Sequence, residues 1–409
     1  MNGRRLSVRD RFYADIDVAK VIGPLDGVAA DAVRAALTGM HADRPDGKAL
    51  SRLDRVAGRW RPVAAHRFPG WAHDLVLDLD GDDDPGKVAA RMMAEPLGER
   101  PLLLGAGGPY AGIRFNHALG DAWVGGPLFV AALTAAVAGG PAHYPIPPSA
   151  RLPLLRATAR HFGRNPARLV AAARVGRAPR DADAGRAQMP WAPAEAIHWS
   201  RSAPGAATAL RRWRDAHVPG ASIGAVLSAA VSASFDRHLS ATARDGLVML
   251  VDARRYLPSG LVVDGNFAAG EYLAPVDRAD VRAVHDLMAA RLASGRSLAA
   301  LALHHGRLMV DYRRVPARIT SVPVDARPQL TLAYLGRSDA YAGLPWRAGH
   351  AERTMIDVVG TTGPQGVTVA VEEFGDVLHA TTTYHTNVFD PAAIAAATDA
   401  VVGDPAAVL

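Results

Sequence analysis

Cysteine is absent from the 409 residues. This absence excludes disulfides, thiolate metal sites and a cysteine nucleophile. Long uncharged apolar runs are missing too, since no stretch approaches the roughly 18 residues of a membrane span. The first residues, MNGRRLSVRDRFYADID, lack the apolar segment of a secretory signal peptide. We therefore expect a cytoplasmic enzyme or binding protein with no transmembrane segment.

Lysine is scarce beside arginine, and the formal net charge is +6. A basic surface attracts nucleic acids, phosphorylated cofactors or acidic protein partners. The basic residues are scattered along the chain, and the sequence contains no zinc-finger, basic-zipper or RNA-binding motif. We therefore expect no nucleic-acid partner, whereas a ligand that carries phosphates is compatible with the charge.

Hydrophobic residues make up 49% of a chain that is long enough for two domains. Apolar periodicity and turn residues predict strands alternating with helices, an α/β (α+β) fold. The predicted segments are strands at 17–25, 73–80, 110–118, 246–258, 329–336, 355–360 and 366–386, and helices at 30–42, from about 127, at 222–239, at 281–294 and from 390. The predicted domains are 1–165 and 191–409, joined by a linker at 166–190 that is rich in Pro, Ala and Arg.

The stretch RFNHALGDAWVGG, residues 114–126, places His117 and Asp121 four positions apart. With 15 histidines, about one such pair is expected by chance. One interpretation is a core histidine beside an aspartate that caps the next helix. The other is a general base held at the end of a buried strand, with a carboxylate paired to an arginine. The spacing alone leaves both open.

The segment NHALGDAW resembles the His-His-x-x-x-Asp-Gly-Trp motif of the CoA-dependent acyltransferase superfamily. That superfamily has the chloramphenicol acetyltransferase-like fold and includes condensation domains, wax ester synthases and polyketide-associated acyltransferases. Further segments resemble the family in the same order along the chain: LSVRDRFY, ASIGAVLSAAVSASF, VDARRYLPSGLVVDGNFAAG and VEEFGDVLHATTTYHTNVFD. The resemblance therefore covers most of the sequence.

The resemblance implies that His117 is the catalytic residue, because it aligns with the second histidine of the motif. Asn116 replaces the first histidine, and Ala122 replaces the motif glycine. Asp121 is implied to support the site structurally. Arg254 is the expected partner of Asp121, and Arg52 is the rival candidate.

Asn266, in the segment DGNFAAG, matches a Gly-Asn loop that supports the site in the family. Asn116, Trp123 and Tyr334 are the residues expected along the substrate tunnel. Tyr334 stands where the family often has Asn or Ser, so side-chain help to an oxyanion from this strand is not expected.

The implied architecture is two chloramphenicol acetyltransferase-like lobes with a central tunnel and His117 midway along it. The implied function is an acyltransferase that moves an acyl group from a CoA or carrier-protein thioester to a hydroxyl or amine of a small-molecule acceptor, a specialised metabolite or lipid. The thioester of CoA or phosphopantetheine is then a co-substrate, and neither a permanently bound cofactor nor a metal is expected. Two alternatives stay open: a free-standing condensation-type enzyme that joins carrier-bound substrates, and a catalytically silent module that binds a carrier protein.

Three other sequence features do not predict a functional site. The glycine-rich stretch at 105–112 precedes a strand rather than opening a helix, so it does not predict a dinucleotide site. His304 and His305 are adjacent and lack companion ligands at metal spacing, which favours surface or packing roles. No Gly-x-Ser-x-Gly segment is present, so a serine hydrolase is not supported.

Overall fold

The computed structural model describes residues 3–140, 142–174, 185–240, 243–275, 277–310, 319–347, 349 and 352–409. Its strands are β1 Arg4–Arg5, β2 Asp17–Gly23, β3 Arg52–Asp54, β4 Arg59–Arg61, β5 Val76–Asp78, β6 Leu102–Ala106, β7 Ala111–Asn116, β8 Gln188–Pro190, β9 Glu195–Arg201, β10 Leu247–Asp252, β11 Ala268–Leu273, β12 Ser321–Pro323, β13 Gln329–Arg337, β14 Thr354–Val359, β15 Gly366–Phe374 and β16 Val377–His385. Its α-helices are α1 Val8–Phe12, α2 Ala30–Asp43, α3 Phe68–Asp74, α4 Pro85–Ala94, α5 Ala122–Ala138, α6 Pro153–Phe162, α7 Ala167–Arg174, α8 Ala206–His217, α9 Ile223–His238, α10 Val281–Ala293, α11 Arg296–Val310 and α12 Pro391–Gly403.

Two large mixed sheets organise the described residues. The first has the strand order β14-β2-β7-β6-β5, and the second has the order β11-β10-β13-β15-β16-β9. Most neighbouring strands are antiparallel, and the parallel pairs are β5–β6, β10–β13 and β13–β15. Helices α2 and α5 pack beside the first sheet, and α9 and α12 pack beside the second. The predicted α/β class is confirmed.

Strand β14 crosses between the two halves of the chain. Its sequence lies within the second predicted lobe, 191–409. It nevertheless pairs antiparallel with β2 of the first sheet, with Asp357 opposite Lys20. The division into lobes at 1–165 and 191–409 therefore stays a prediction. Strand β14 belongs to the second range by sequence and to the first sheet by pairing. The predicted linker at 166–190 contains α7 and β8, and its residues 175–184 lie outside the described ranges.

Helix α5 begins earlier than the sequence predicted, at Ala122 rather than near Pro127. The cause is Asp121, whose side chain accepts a hydrogen bond from the Trp123 backbone N–H and so caps the helix at this point. A Cβ at Gly125 would lie 2.4 Å from the ring of Phe115, so the glycine allows close packing of α5 against β7. Ala122 is the first helical residue, and the motif glycine is not needed there.

The hairpin between β15 and β16 has the Gly-Asp turn that the sequence predicted. Gly375 has φ 58° and Asp376 has φ 65°. Two consecutive positive φ values match the twist of a two-residue hairpin, and Gly and Asp are among the residues that adopt them most readily.

Two strands end sooner than predicted. Strand β7 stops at Asn116, so His117 is the first residue beyond it. Strand β10 stops at Asp252, whose side chain caps a short 3₁₀ turn at Ala253–Tyr256, and Arg254 lies in that turn rather than in a strand. Both changes place polar residues of the site in turns. None of the helices in the described ranges has the length and apolarity that a bilayer crossing requires.

Candidate active site

His117 lies in the turn between β7 and α5, and its backbone is fixed from two sides. Its N–H donates to the carbonyl oxygen of Ile16 at 2.7 Å. Its own carbonyl oxygen accepts from Nδ2 of Asn266 at 2.6 Å. These bonds come from segments that are far apart in the sequence, so the turn is held to both halves of the chain. Asn266 thus contacts the His117 turn, and its role in supporting an active site stays a prediction.

The environment of His117 disfavours the charged form of its imidazole. Its ring stacks on Tyr13, with centroids 4.9 Å apart and an interplanar angle of 22°. Burial lowers the pKa of His117 below 6.5, against smaller opposing effects from its own carbonyl, Asp121, Asn266 and the carbonyl of Gly120. Nδ1 is buried and makes no hydrogen bond of ordinary geometry to a described residue. Residue 117 as a whole is partly exposed.

Asp121 is a buried carboxylate with four donors. Arg254 donates to both of its oxygens, at 2.8 Å and 3.0 Å. The backbone N–H groups of Phe267 and Trp123 donate at 2.9 Å and 3.2 Å. A buried carboxylate is stable only when it is paired and hydrogen-bonded in this way. Both oxygens of Asp121 are therefore engaged in structure.

Arg52 was the alternative partner for Asp121, and it lies elsewhere. It donates to Glu99 at 3.0 Å on an exposed surface. Its guanidinium also lies over the ring of Trp71, 4.2 Å from the centroid. The arginine on Asp121 is Arg254.

The segment from Val263 to Phe267 is tied to the His117 turn by two cations. Arg254 donates to the carbonyl oxygens of Val263 and Gly265 at 3.2 Å and 2.8 Å. Lys48 is buried and donates to the carbonyl oxygens of Leu119 and Asp264 at 3.0 Å and 2.7 Å. Lys48 was not predicted from the sequence, because nothing in its local pattern distinguishes it from a surface lysine.

Two of the three predicted tunnel residues lie at opposite extremes of exposure. Asn116 is fully buried, and its side chain donates to the carbonyl of Ala14 and to Asp17 and accepts from the N–H of Ala118. Its side-chain amide is fully hydrogen-bonded within the turn. Asn116 therefore does not face open space, contrary to the expectation that it lines a substrate tunnel. Trp123 is 64% exposed on the first turn of α5.

Tyr334 lies on β13 within the second sheet. Its ring packs against Gly224, since a Cβ added at that glycine would lie 3.6 Å from Cδ1 of Tyr334. Burial first, and then the carboxylate of Glu373, raises the pKa of its phenol, while Arg211 opposes this effect. No contact between Tyr334 and His117 occurs among the described residues.

Several polar side chains of α1 and α11 lie close to this site, and they were not predicted as site residues from the sequence. Arg9 is buried on α1, and Tyr13 follows it at the end of the same turn. His304 of α11 contacts Phe12 edge to face, with centroids 4.6 Å apart. His304 and His305 are partly buried, and they lie close enough to Arg9 for its charge to lower the pKa of each, after the larger effect of burial. The adjacent histidines thus pack near the site rather than on a remote surface.

The sequence matches no protein-family model and none of the curated proteins. Solved structures, however, are similar over nearly the whole chain. Trichothecene 15-O-acetyltransferase from Fusarium sporotrichioides aligns with a TM-score of 0.62 at 12% identity, covering 97% of this chain and 91% of that one. A starter condensation domain of rhizomide synthetase, a mutant in complex with C8-CoA and Leu-SNAC, aligns with a TM-score of 0.57 at 17% identity, covering 98% and 93%. Polyketide synthase associated protein 5 from Mycobacterium tuberculosis aligns with a TM-score of 0.54 at 14% identity, covering 99% and 98%.

These similarities confirm the fold that the resemblance implied. The chain has the chloramphenicol acetyltransferase-like fold shared by acyltransferases and condensation domains. Within it, an imidazole whose pKa burial lowers lies on a turn that is fixed from two sides. Such a group can accept a proton from a nearby hydroxyl or amine.

Proposed function

We propose that this protein transfers an acyl group from a CoA or carrier-protein thioester to a hydroxyl or amine acceptor, with His117 as the general base. The observation that carries the proposal is the setting of His117: burial lowers the pKa of its imidazole, and its backbone is fixed by hydrogen bonds from two sides. A general base needs this combination of fixed geometry and a free lone pair at the working pH. The fold supports the same chemistry, because its solved examples include an acetyltransferase and a condensation domain in complex with C8-CoA.

In the proposed reaction, the acceptor oxygen or nitrogen attacks the carbonyl carbon of the thioester while its proton passes to Nε2 of His117. The tetrahedral intermediate then collapses, the C–S bond breaks, and the imidazolium returns the proton to the departing thiolate. The donor and acceptor would meet in a tunnel between the two lobes. A base of this kind contributes about 10²–10⁴-fold, and positioning and dipoles directed at the oxyanion supply the remainder.

Thiol release tests the proposal directly. The protein has no cysteine, so a chromogenic disulfide reports only the thiol that leaves the donor. Acyl-CoAs from acetyl to palmitoyl are offered with alcohol and amine acceptors, and intact mass spectrometry identifies the product. We expect His117→Ala to lower turnover about 10²–10⁴-fold. The control is His66→Ala, which removes an exposed histidine from a 3₁₀ turn. Folded His117→Ala with undiminished turnover would remove His117 from the mechanism.

The pH profile gives a second readout of the same base. Only the neutral imidazole accepts a proton, and the pKa of His117 lies below 6.5 because of burial. We expect kcat/KM to be flat at neutral pH and to fall only on acidification below that value. An acid limb centred above 6.5 that disappears in His117→Ala would contradict the neutral, buried base.

The donor assay also separates the two alternatives. Turnover with an acyl-loaded carrier protein but not with free acyl-CoA would identify a condensation-type enzyme. Tight binding of the carrier protein without thiol release from any donor would identify a silent binding module. The presence of His117 on a turn that is fixed from two sides favours an enzyme over that module.

A further inference from the structure

Arg9 is a buried cation without an ion-pair partner among the described residues. It lies on α1 and is 8% exposed. Its Nε and Nη2 atoms are buried and make no hydrogen bond there. The neighbouring Asp10 is engaged elsewhere, because its side chain and that of Ser7 cap the first turn of α1. A buried guanidinium with unused donors is destabilising, so its presence requires an explanation.

The position of Arg9 connects it to the candidate active site. Its guanidinium lies over the ring of Phe267, 5.8 Å from the centroid, and the backbone N–H of Phe267 donates to Asp121. The phenol of Tyr13 lies beside Arg9 and interacts with its charge, and the Tyr13 ring stacks on His117. Tyr13 therefore contacts both Arg9 and the proposed base, His117.

Among the described residues, no carboxylate lies close enough to Arg9 to form an ion pair with it. Tyr13, Asp121 and Asp10 each offset part of the burial that lowers the pKa of Arg9. Both Asp121 oxygens, however, are taken by Arg254 and by two backbone N–H groups. His304 and His305 on α11 add only neutral or cationic groups to the surroundings of Arg9. Nε and Nη2 of Arg9 therefore remain as donors for a group that enters the site.

We propose that Arg9 binds a carboxylate of the substrate and so positions the reacting group at His117. The inference rests on the acyl transfer proposed above. A guanidinium presents paired N–H donors that match the two oxygens of a carboxylate. The phosphates of CoA are an unsuitable match, because the long neutral pantetheine arm separates them from the thioester that must reach His117. The carboxylate therefore belongs either to the acceptor, as in a hydroxy or amino acid, or to the acyl group, as in a dicarboxylic acyl donor.

Paired substrates distinguish the two sources. In the first arm, hydroxy and amino acids are compared as acceptors with their methyl esters. In the second arm, succinyl-CoA is compared as donor with butyryl-CoA. We expect the wild-type protein to prefer the charged member of one pair, and Arg9→Met to reduce kcat/KM for that member about 10- to 100-fold. The neutral member should be unaffected. The control is Arg11→Met, which removes an exposed arginine from the same helix.

Thermal unfolding separates binding from a purely structural role. Replacing an unpaired buried cation by an apolar side chain of similar length should leave the Tm unchanged or raise it. A lower Tm in Arg9→Met, together with equal losses of kcat/KM for charged and neutral substrates, would overturn the proposal and assign Arg9 to packing. Arg9→Lys keeps the charge but loses the paired donors, and it should restore selectivity only in part.

Succinate provides a test that does not depend on turnover. We expect succinate to raise the Tm of the wild-type protein, dimethyl succinate to have no effect, and Arg9→Met to abolish the shift. If this holds while no acyl transfer is found, the proposed function fails and the carboxylate site stands. If transfer occurs equally with charged and neutral substrates, and succinate shifts the Tm of neither protein, the carboxylate site fails and the proposed function stands.

Discussion

Asp121 shows how one side chain can hold an active site without reacting. It caps α5, accepts two hydrogen bonds from Arg254 and one from the backbone of Phe267. No oxygen of this carboxylate is left for substrate chemistry. Its contribution should therefore appear in folding stability, because removing its charge takes away the bidentate partner of the largely buried Arg254 and leaves only the longer contact with Asp252 at 3.3 Å.

We expect Asp121→Asn to lower the free energy of unfolding by about 3–5 kcal/mol, the usual cost of breaking a buried ion pair. Denaturant unfolding measures this change. The control is Asp31→Asn, which removes an exposed ion pair with Arg34 on α2 and should cost less than about 1 kcal/mol. Unchanged unfolding together with lost turnover would instead assign Asp121 to chemistry.

The residues that sequence reasoning found and missed differ in how local their contacts are. His117 and Asp121 lie in one short turn whose spacing is visible in the sequence, and the segment order pointed to Arg254. Lys48 contacts Asp264, which is 216 positions away, and this contact gives no local pattern. Arg9 was missed for a similar reason, because an arginine on a one-turn helix is ordinarily solvent-exposed.

At the scale of elements, the order of strands and helices could be predicted, but the partners of β14 could not. The segment MIDVVG predicted a strand, because its apolar residues are typical of a buried one. Its pairing with β2 joins residues more than 300 positions apart. Pairing of this kind depends on tertiary packing, which periodicity does not report. The early start of α5 depends on the capping bond of Asp121, and the sequence pattern is compatible with that cap without requiring it.

Strand β14 is joined to both sheets by a buried charge cluster. Lys20 of β2 donates to Asp357 of β14 at 2.8 Å and 3.0 Å and to Glu372 of β15 at 2.5 Å. Burial raises the pKa of Glu372, and so does the charge of Asp357, while Lys20 opposes them. Burial disfavours the charge on Lys20, but the two carboxylates outweigh it and raise the pKa of the lysine. The single cation therefore stabilises two carboxylates at the junction of the sheets.

We expect Lys20→Met to lower the free energy of unfolding by about 3–5 kcal/mol near pH 7, because it leaves two carboxylates buried without a cation. The loss should shrink on acidification. Glu372 has a folded-state pKa above its usual value, so its contribution is favourable when protonated and declines as the pH rises. Denaturant unfolding across pH measures this trend. Lys87→Met, at an exposed position of α4, is the control. An equal loss at every pH would show that charge repulsion is not the cause.

At the scale of the whole molecule, the candidate site is assembled from both halves of the chain. His117 and Lys48 come from segments before residue 165, and Arg254 and Asn266 come from segments after residue 191. The bonds Asp121–Arg254, Lys48–Asp264 and Asn266–His117 join these halves at the site itself. The turn that carries the proposed base is thus held by contacts from both halves of the chain.

The net charge of +6 acts at longer range than any of these contacts, and it should assist a donor that carries phosphates. Raising the ionic strength from about 0.1 M to about 1 M shortens the Debye length from about 10 Å to about 3 Å. We expect the KM for an acyl-CoA to rise severalfold over this range in steady-state thiol-release assays. The comparison is the N-acetylcysteamine thioester of the same acyl group, which presents the same carbonyl without phosphates, so its KM should stay nearly constant. Equal salt dependence for both donors would show that the basic surface does not recruit the donor.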